Sequence, residues 1–296
     1  MIEKYYNGVI EQVAGGIGNV EHNSILVRYS NDFSIWDLES VNHYKDQTDI
    51  FFTCHEFSYN KIAEAYEPYL GLIRQMFHKY CSGTLEEFME ECDVYKLQRP
   101  VFESYFEKGF CERTEQILID EVEYEQERMH SSIVTMLQKL SEICPIVIVL
   151  NRFQLASKST MQLTNRLLQT KNKNIGIVLG VNDVQSIPEF AHEEWDAICE
   201  SMDDRNMVYH IGNAGRNMEP DVMDYYSDYE SDDGYRKLNN LVYFLDFDQA
   251  NHHLSKIERR IKFDNFTISE KKHYQLLLLQ IMVSVLQRDI AKALES

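Results

Sequence analysis

Over the first two hundred or so residues, short uninterrupted apolar runs alternate with longer stretches in which apolar residues recur every three or four positions. The short runs are Ser24–Arg28, Asp49–Cys54, Pro145–Leu150, Asn174–Gly180 and Met207–Ile211. Apolar residues at successive rather than alternate positions fit strands covered on both faces of a parallel sheet. Between the runs, Thr114–Ile143 carries Ile117, Leu118, Val122, Met129, Ile133, Met136, Leu137 and Leu140 at helical spacing. Strands separated by helices predict a layered α/β domain over residues 1–214, joined by right-handed crossovers.

Three segments depart from simple alternation. The connection from Cys54 to Pro145 is too long for one crossover helix, so it predicts an inserted helical region at about 57–143, suited to a lid or a partner surface or to packing alone. Residues 215–234 read as an acidic connector, because NMEPDVMDYYSDYESDDG at 217–234 is rich in acids and has no period. Its Asp228, Asp232 and Asp233 do not follow the order of a calcium loop, and no glutamate stands at the required distance, so no calcium site is expected. From 235 to 296 the pattern is helical throughout, with Leu238, Leu241, Val242 and Leu245 forming one stripe and Ala250, Leu254, Ile257 and Ile261 the next. Leu245, Asp248 and Ala250 reappear 41 residues later as Leu286, Asp289 and Ala291, which predicts the start of a tetratricopeptide-like array of helical hairpins. The final RDIAKALES begins the second helix of a pair, so a continuation past Ser296 or a docked partner is expected to cover the remaining apolar face.

Composition narrows the function. The 296 residues contain 29 Lys+Arg and 48 Asp+Glu, a formal charge of −19. The densest basic cluster, Arg259 and Arg260 with Lys256 and Lys262, is interrupted by Glu258, so no nucleic-acid partner is expected. The first thirteen residues lack the apolar core of an export signal, and no run approaches the roughly 20 apolar residues of a membrane span. Six cysteines without CxxC spacing fit reduced thiols, and together these features predict a cytoplasmic protein with no membrane association.

The strand order suggests where chemistry would be placed. A strand near the N-terminus, a helix, and strands ending at Leu150 and Val181 follow the order of a P-loop NTPase. That chemistry needs glycines beside the phosphates, a lysine to neutralise them and a Ser/Thr to hold Mg²⁺. Aligned on the end of the first strand, the GxxxxGK[ST] window falls on Tyr29 to Trp36. Tyr29 and Ser34 then stand for the glycines, Ile35 for the lysine and Trp36 for the Mg²⁺ ligand. After PIVIVL, the acids that organise Mg²⁺ and water are replaced by Asn151 and Arg152. With both halves of the site erased, no catalysis and no cofactor are expected.

The run CPIVIVLNRFQLASKSTMQLTNRLLQTKNKNIGIVLGVND resembles the Walker B strand, helix and sensor strand of the signal-transduction (STAND) AAA-type ATPases. Phe153, Gln154, Leu155, Ala156 and Ser159 match that family's phrase DDLQWAD-x-x-S-L, whereas Asn151 and Arg152 replace its acids. NGVIEQV, NSILVRYS and FFTCHEFSYNKIAEAYEPYLGLIRQ are similar to a clostridial branch, in which this module precedes tetratricopeptide repeats and often a diguanylate cyclase domain. No cyclase signature occurs in these residues. The resemblance implies that Asn182 and Asp183, at the sensor position, line a degenerate pocket with Asn151 and Arg152, although a polar turn capping the next helix explains the pair as well. Tyr29, Phe33 and Trp36 fill that pocket as core or floor it for another ligand.

Other groupings read as structure. GGIG at Gly15–Gly18 precedes the first strand and has no lysine, so it is a turn. Cys54, His55 and Glu56 place metal-ligand chemistries side by side, but adjacent strand residues point to opposite faces, so Cys54 and His55 are not expected to share a metal ion. His252 and His253 are expected on a helix surface. The chain is therefore expected to be an inactive, NTPase-derived regulatory module that binds a protein partner or covalently following domains. A non-hydrolysing switch for a nucleotide or small ligand, a passive helical-repeat scaffold, and self-association remain open beside it.

Overall fold

The computed structural model describes residues 2–18, 23–29, 49–58, 61–109, 122–170, 172–182, 187–203, 208–211, 232–263 and 267–287. Ser34, Ile35, Trp36 and Asp183, with the acidic connector up to residue 231, lie outside the described residues.

Five parallel strands form the centre: β1 (Ser24–Tyr29), β2 (Phe51–Glu56), β3 (Ile146–Asn151), β4 (Ile175–Asn182) and β5 (Val208–Ile211). They lie in the order β2-β3-β4-β1-β5, an α/β arrangement compatible with a P-loop-like core. All five apolar runs read from the sequence are strands. β2 runs two residues further than its apolar pattern, because the ladder with β3 continues through His55 opposite Leu150 and Glu56 opposite Asn151.

The sheet separates two cores. On one face lies α1 (Ile2–Gly15), whose Tyr6, Val9, Ile10, Val13 and Ala14 repeat at helical spacing and are buried against Ile25, Val27, Phe52, Val147, Val149 and Val178. Close approach is possible because β4 offers glycine on this face. A Cβ at Gly176 would lie 2.7 Å from Val13, and one at Gly180 would meet the Tyr6 hydroxyl and lie 2.7 Å from Asn151 Oδ1. The alternate residues of the same strands, including Leu26, Ile148, Leu150, Ile177 and Leu179, enter the larger core on the opposite face.

That larger core takes in the helices of the long β2–β3 connection, α2 (Tyr69–Tyr80), α3 (Leu85–Glu91), α4 (Arg99–Lys108) and α5 (Val122–Ile143). The helical pattern beginning at Thr114 is realised from Val122 onward, and 110–121 fall outside the described residues. α6 (Lys158–Gln169) follows β3, and α7 (His192–Asp203) follows β4. Beyond the connector come α8 (Asp232–Tyr243), α9 (Phe247–Phe263) and α10 (Glu270–Leu286). Leu238, Leu241, Val242, Leu254 and Ile257 of α8 and α9 belong to the same core as the sheet. α10 packs on both α8 and α9, yet Tyr274, Leu278, Ile281 and Val285 form an exposed apolar stripe on it. No helix among the described residues is long and apolar enough to cross a membrane.

Candidate functional site at the carboxyl edge of the sheet

In a parallel sheet all carboxyl ends share one edge, and ligands bind where the strand order reverses. Here the chain leaves β1 for the far edge at β2, past β4 and β3, whereas it leaves β4 in the other direction, past β1 to β5. The crevice between the ends of β1 and β4 is therefore the place to look, and Tyr29 stands opposite Asn182 there.

Strand alternation aims Tyr29, Asn151 and Gly180 at the α1 face, the same side as Ile25 and Val27, Val147 and Val149, and Val178. The Tyr29 hydroxyl donates to Asn151 Oδ1 at 2.6 Å, and both residues are fully buried. Tyr6 of α1 closes over them, beside Gly180. Burial raises the Tyr6 phenol well above its ordinary value, and Tyr29, Cys54 and Glu56 add to the effect. At this edge a buried tyrosine hydroxyl is bonded to a neutral amide.

Arg152 follows Asn151 with a left-handed backbone (φ 52°), and its guanidinium pairs with Glu56 at 3.1 Å. This ion pair joins the ends of β3 and β2. Gln154, in the short 3-10 turn that follows, accepts from the backbone N–H of Asn182 at 3.3 Å, so the ends of β3 and β4 are also tied. Asn182 is buried. Arg28, facing the other way, donates to Cys199 Sγ at 3.1 Å and lies over the Trp195 ring.

Of the expected pocket residues, the structure brings Tyr29 and Asn151 into contact, places Asn182 opposite Tyr29, and turns Arg152 to Glu56. Tyr29 is core. Sequence reasoning passed over Tyr6 and weighed Glu56 only as a metal ligand beside Cys54 and His55. Glu56 had a readable signal, an acid closing an apolar run at a strand's carboxyl end, whereas Tyr6 showed only its place in a helical stripe.

Cys54 and His55 separate as alternation requires, Cys54 toward the α1-side core and His55 against the Phe57 ring on the other side. Burial lowers the His55 imidazole to about 4, with Glu56 acting in the opposite sense. His252 borders a cleft, but His253 is buried, so a surface position for the pair holds for His252 alone. The reason is that His253, three residues after Ala250 and four before Ile257, falls on the buried stripe of α9, whereas His252 falls on the opposite side. Among the described residues no group of three or more His, Cys, Asp or Glu side chains is arranged to hold a metal ion.

A cleft of about 630 Å³ lies between α9, the start of α6 and the start of α7. Lys158, Glu194 and Asp248 form ion pairs on its wall, with Lys158 Nζ 2.5 Å from Asp248 and 3.5 Å from Glu194. His252 and Phe190 stack edge to face beside them.

No family model, curated protein or solved structure matches this chain.

Proposed function

We propose that the chain is a catalytically inactive regulatory module derived from a P-loop NTPase of the STAND type. The observation that carries this reading is the buried Tyr29–Asn151 hydrogen bond, which joins the strand ends after which the family's phosphate loop and metal-binding acids would stand. The strand order supports descent from that architecture, and the replacement of both acids after β3 argues against hydrolysis. The helices α8 to α10 are the beginning of a tetratricopeptide-like array, because α10 packs on both members of the preceding pair as a next repeat would. The exposed stripe of α10 is the surface for a protein partner or for domains that follow.

The test is direct. Purified chain with Mg²⁺ and ATP is expected to release no phosphate above a buffer blank and to give no heat on titration with ATP or ADP. Hydrolysis that disappears in Asn151→Ala overturns the reading. Binding without hydrolysis supports a second reading, a non-hydrolysing ligand switch. The cleft beside α9 favours that reading through its volume, which falls within the range of small-molecule sites.

A further inference from the structure

The cleft beside α9 is walled by one side of that helix. Asp248, His252, Lys256 and Arg259 follow one another at spacings of four, four and three, so they line it from one face, with Ser255 between them. Opposite stand Lys158 at the start of α6, Phe190 in the 3-10 turn before α7, and Glu193 and Glu194 in the first turn of α7. Three separate stretches of chain thus enclose about 630 Å³, room for a small organic molecule.

The charges along the cleft are sorted. At the amino end of α9, Lys158 pairs with both Asp248 and Glu194, and Gln162 Nε2 also donates to Glu194, at 2.9 Å. Opposite charges answer one another there. Further along the helix, Lys256 and Arg259 lie one turn apart. The side chains of Arg259, Ser255 and, across the cleft, Glu193 make no hydrogen bond or ion pair among the described residues. Burial holds the Lys256 ammonium below its ordinary value, an effect that an anion at its side relieves.

An aromatic pair stands between the two ends. The rings of His252 and Phe190 meet edge to face, their centroids 5.0 Å apart. Both residues are only half-buried, so each leaves ring surface open. Burial lowers the His252 imidazole to about 4, and the Lys256 charge adds to the effect. At neutral pH His252 is therefore an uncharged ring rather than a third cation beside Lys256. The three cations of the cleft are matched by three acids, in a chain of formal charge −19, so charge alone gives a bare anion little reason to settle there. A guest that brings ring surface together with its charge gains from the aromatic pair and from the Arg259 end at once.

We propose that the cleft beside α9 binds a small aromatic carboxylic acid, its ring against Phe190 and His252, its carboxylate on Arg259, Lys256 and the Ser255 hydroxyl, and a ring hydroxyl donating to Glu193. The ligand switch considered above thereby gains a ligand class, and the inference rests on that reading for its purpose. None of these residues belongs to the carboxyl edge of the sheet.

Saturation-transfer NMR of 4-hydroxybenzoate with the full chain at pH 7, without nucleotide, tests the proposal. A dissociation constant of about 1 mM is expected, an ordinary affinity for a ligand of about ten heavy atoms. Acetate has the charge without the ring, benzyl alcohol the ring without the charge, and benzylammonium the opposite charge. Each is expected to need at least about tenfold more to compete. Arg259→Gln should weaken 4-hydroxybenzoate about tenfold, and because Arg259 is exposed and unpaired the variant keeps the fold. Phe190→Leu should weaken it about threefold. Lys262→Gln removes a charge from the same helix outside the cleft and is expected to stay at the parent value. No saturation up to about 20 mM, equal losses in Arg259→Gln and Lys262→Gln, or acetate competing as well as 4-hydroxybenzoate itself overturns the proposal. The hydrolysis assay reads other residues, so failure of either test leaves the other standing.

Discussion

The carboxyl edge of the sheet and the first turn of α6 are both buried polar regions, but they are settled differently. At the edge, a neutral amide meets a hydroxyl and a carboxylate meets a guanidinium. At the α6 turn, a buried carboxylate keeps one oxygen without a partner, next to a leucine in a backbone conformation that suits glycine. Buried polar groups cost little when fully paired and a good deal when half-paired. The two regions therefore differ in what is buried: the edge joins an amide to a hydroxyl and a carboxylate to a guanidinium, whereas the turn buries the Asp246 carboxylate with its Oδ1 unpaired, which lowers stability when the group is ionised.

Removing the buried charge should have the largest effect on this contrast. Burial pushes the Asp246 carboxyl up to about 6, against hydrogen bonds from Ser159 and the Lys158 ammonium, and Asp248 adds to the rise. Tyr66 also faces it. A carboxyl raised in the folded state binds its proton more tightly there than in the unfolded chain. Stability then falls as pH rises from about 4 to about 6, and the loss is complete above that window. Asp246→Asn should consequently be more stable than the parent by about 2–3 kcal/mol at pH 8 and nearly equal to it at pH 3.5. Urea unfolding at the two pH values measures both gaps. His55, His130 and His252, each lowered to about 4 by burial, destabilise the fold as pH drops below their unfolded value. They do so in parent and variant alike, so they cancel in the comparison. A gap independent of pH would mean that the charge at Asp246 is not the source of tension.

Asn151→Asp should push the carboxyl edge toward the state of the α6 turn. It places an ionisable group in a fully buried position, and a loss of about 2 kcal/mol is expected at neutral pH, shrinking in acid. Unchanged stability would show that the edge admits solvent or cations. Tyr29→Phe, which deletes only the donor to Asn151, is the mildest of the three. Denaturant unfolding should register a loss of about 1 kcal/mol, and no loss would remove the hydrogen bond from the account.

The strands were legible because burial on both faces leaves continuous apolar runs, and PIVIVL admits hardly any other reading. Which strand pairs with which was readable only through the order of elements, since parallel partners are far apart in sequence. Tyr29 and Asn151 were singled out by their positions after apolar runs, but the hydrogen bond between them depends on strand order and alternation together. Asp246 gave no comparable signal. It is one acid among many, and only the left-handed turn at Leu245 aims it at a helix 87 residues earlier. His253 misled because its polarity and its place beside His252 suggest a solvent face, whereas its spacing from Ala250 and Ile257 puts it on the buried stripe of α9.

The glycines that let α1 settle on β4 also bear on how the chain is made. Val13 lies against Gly176 and Tyr6 against Gly180, and β1 finds its neighbours only when Ile177 and then Val208 have been synthesised. At ribosomal rates of about 5–20 residues per second, the first helix waits roughly 10–30 s with its apolar stripe uncovered. A shield over Tyr6, Ile10 and Val13 during that interval, a chaperone or the ribosome surface itself, would keep the stripe from pairing with other apolar surfaces before β4 arrives.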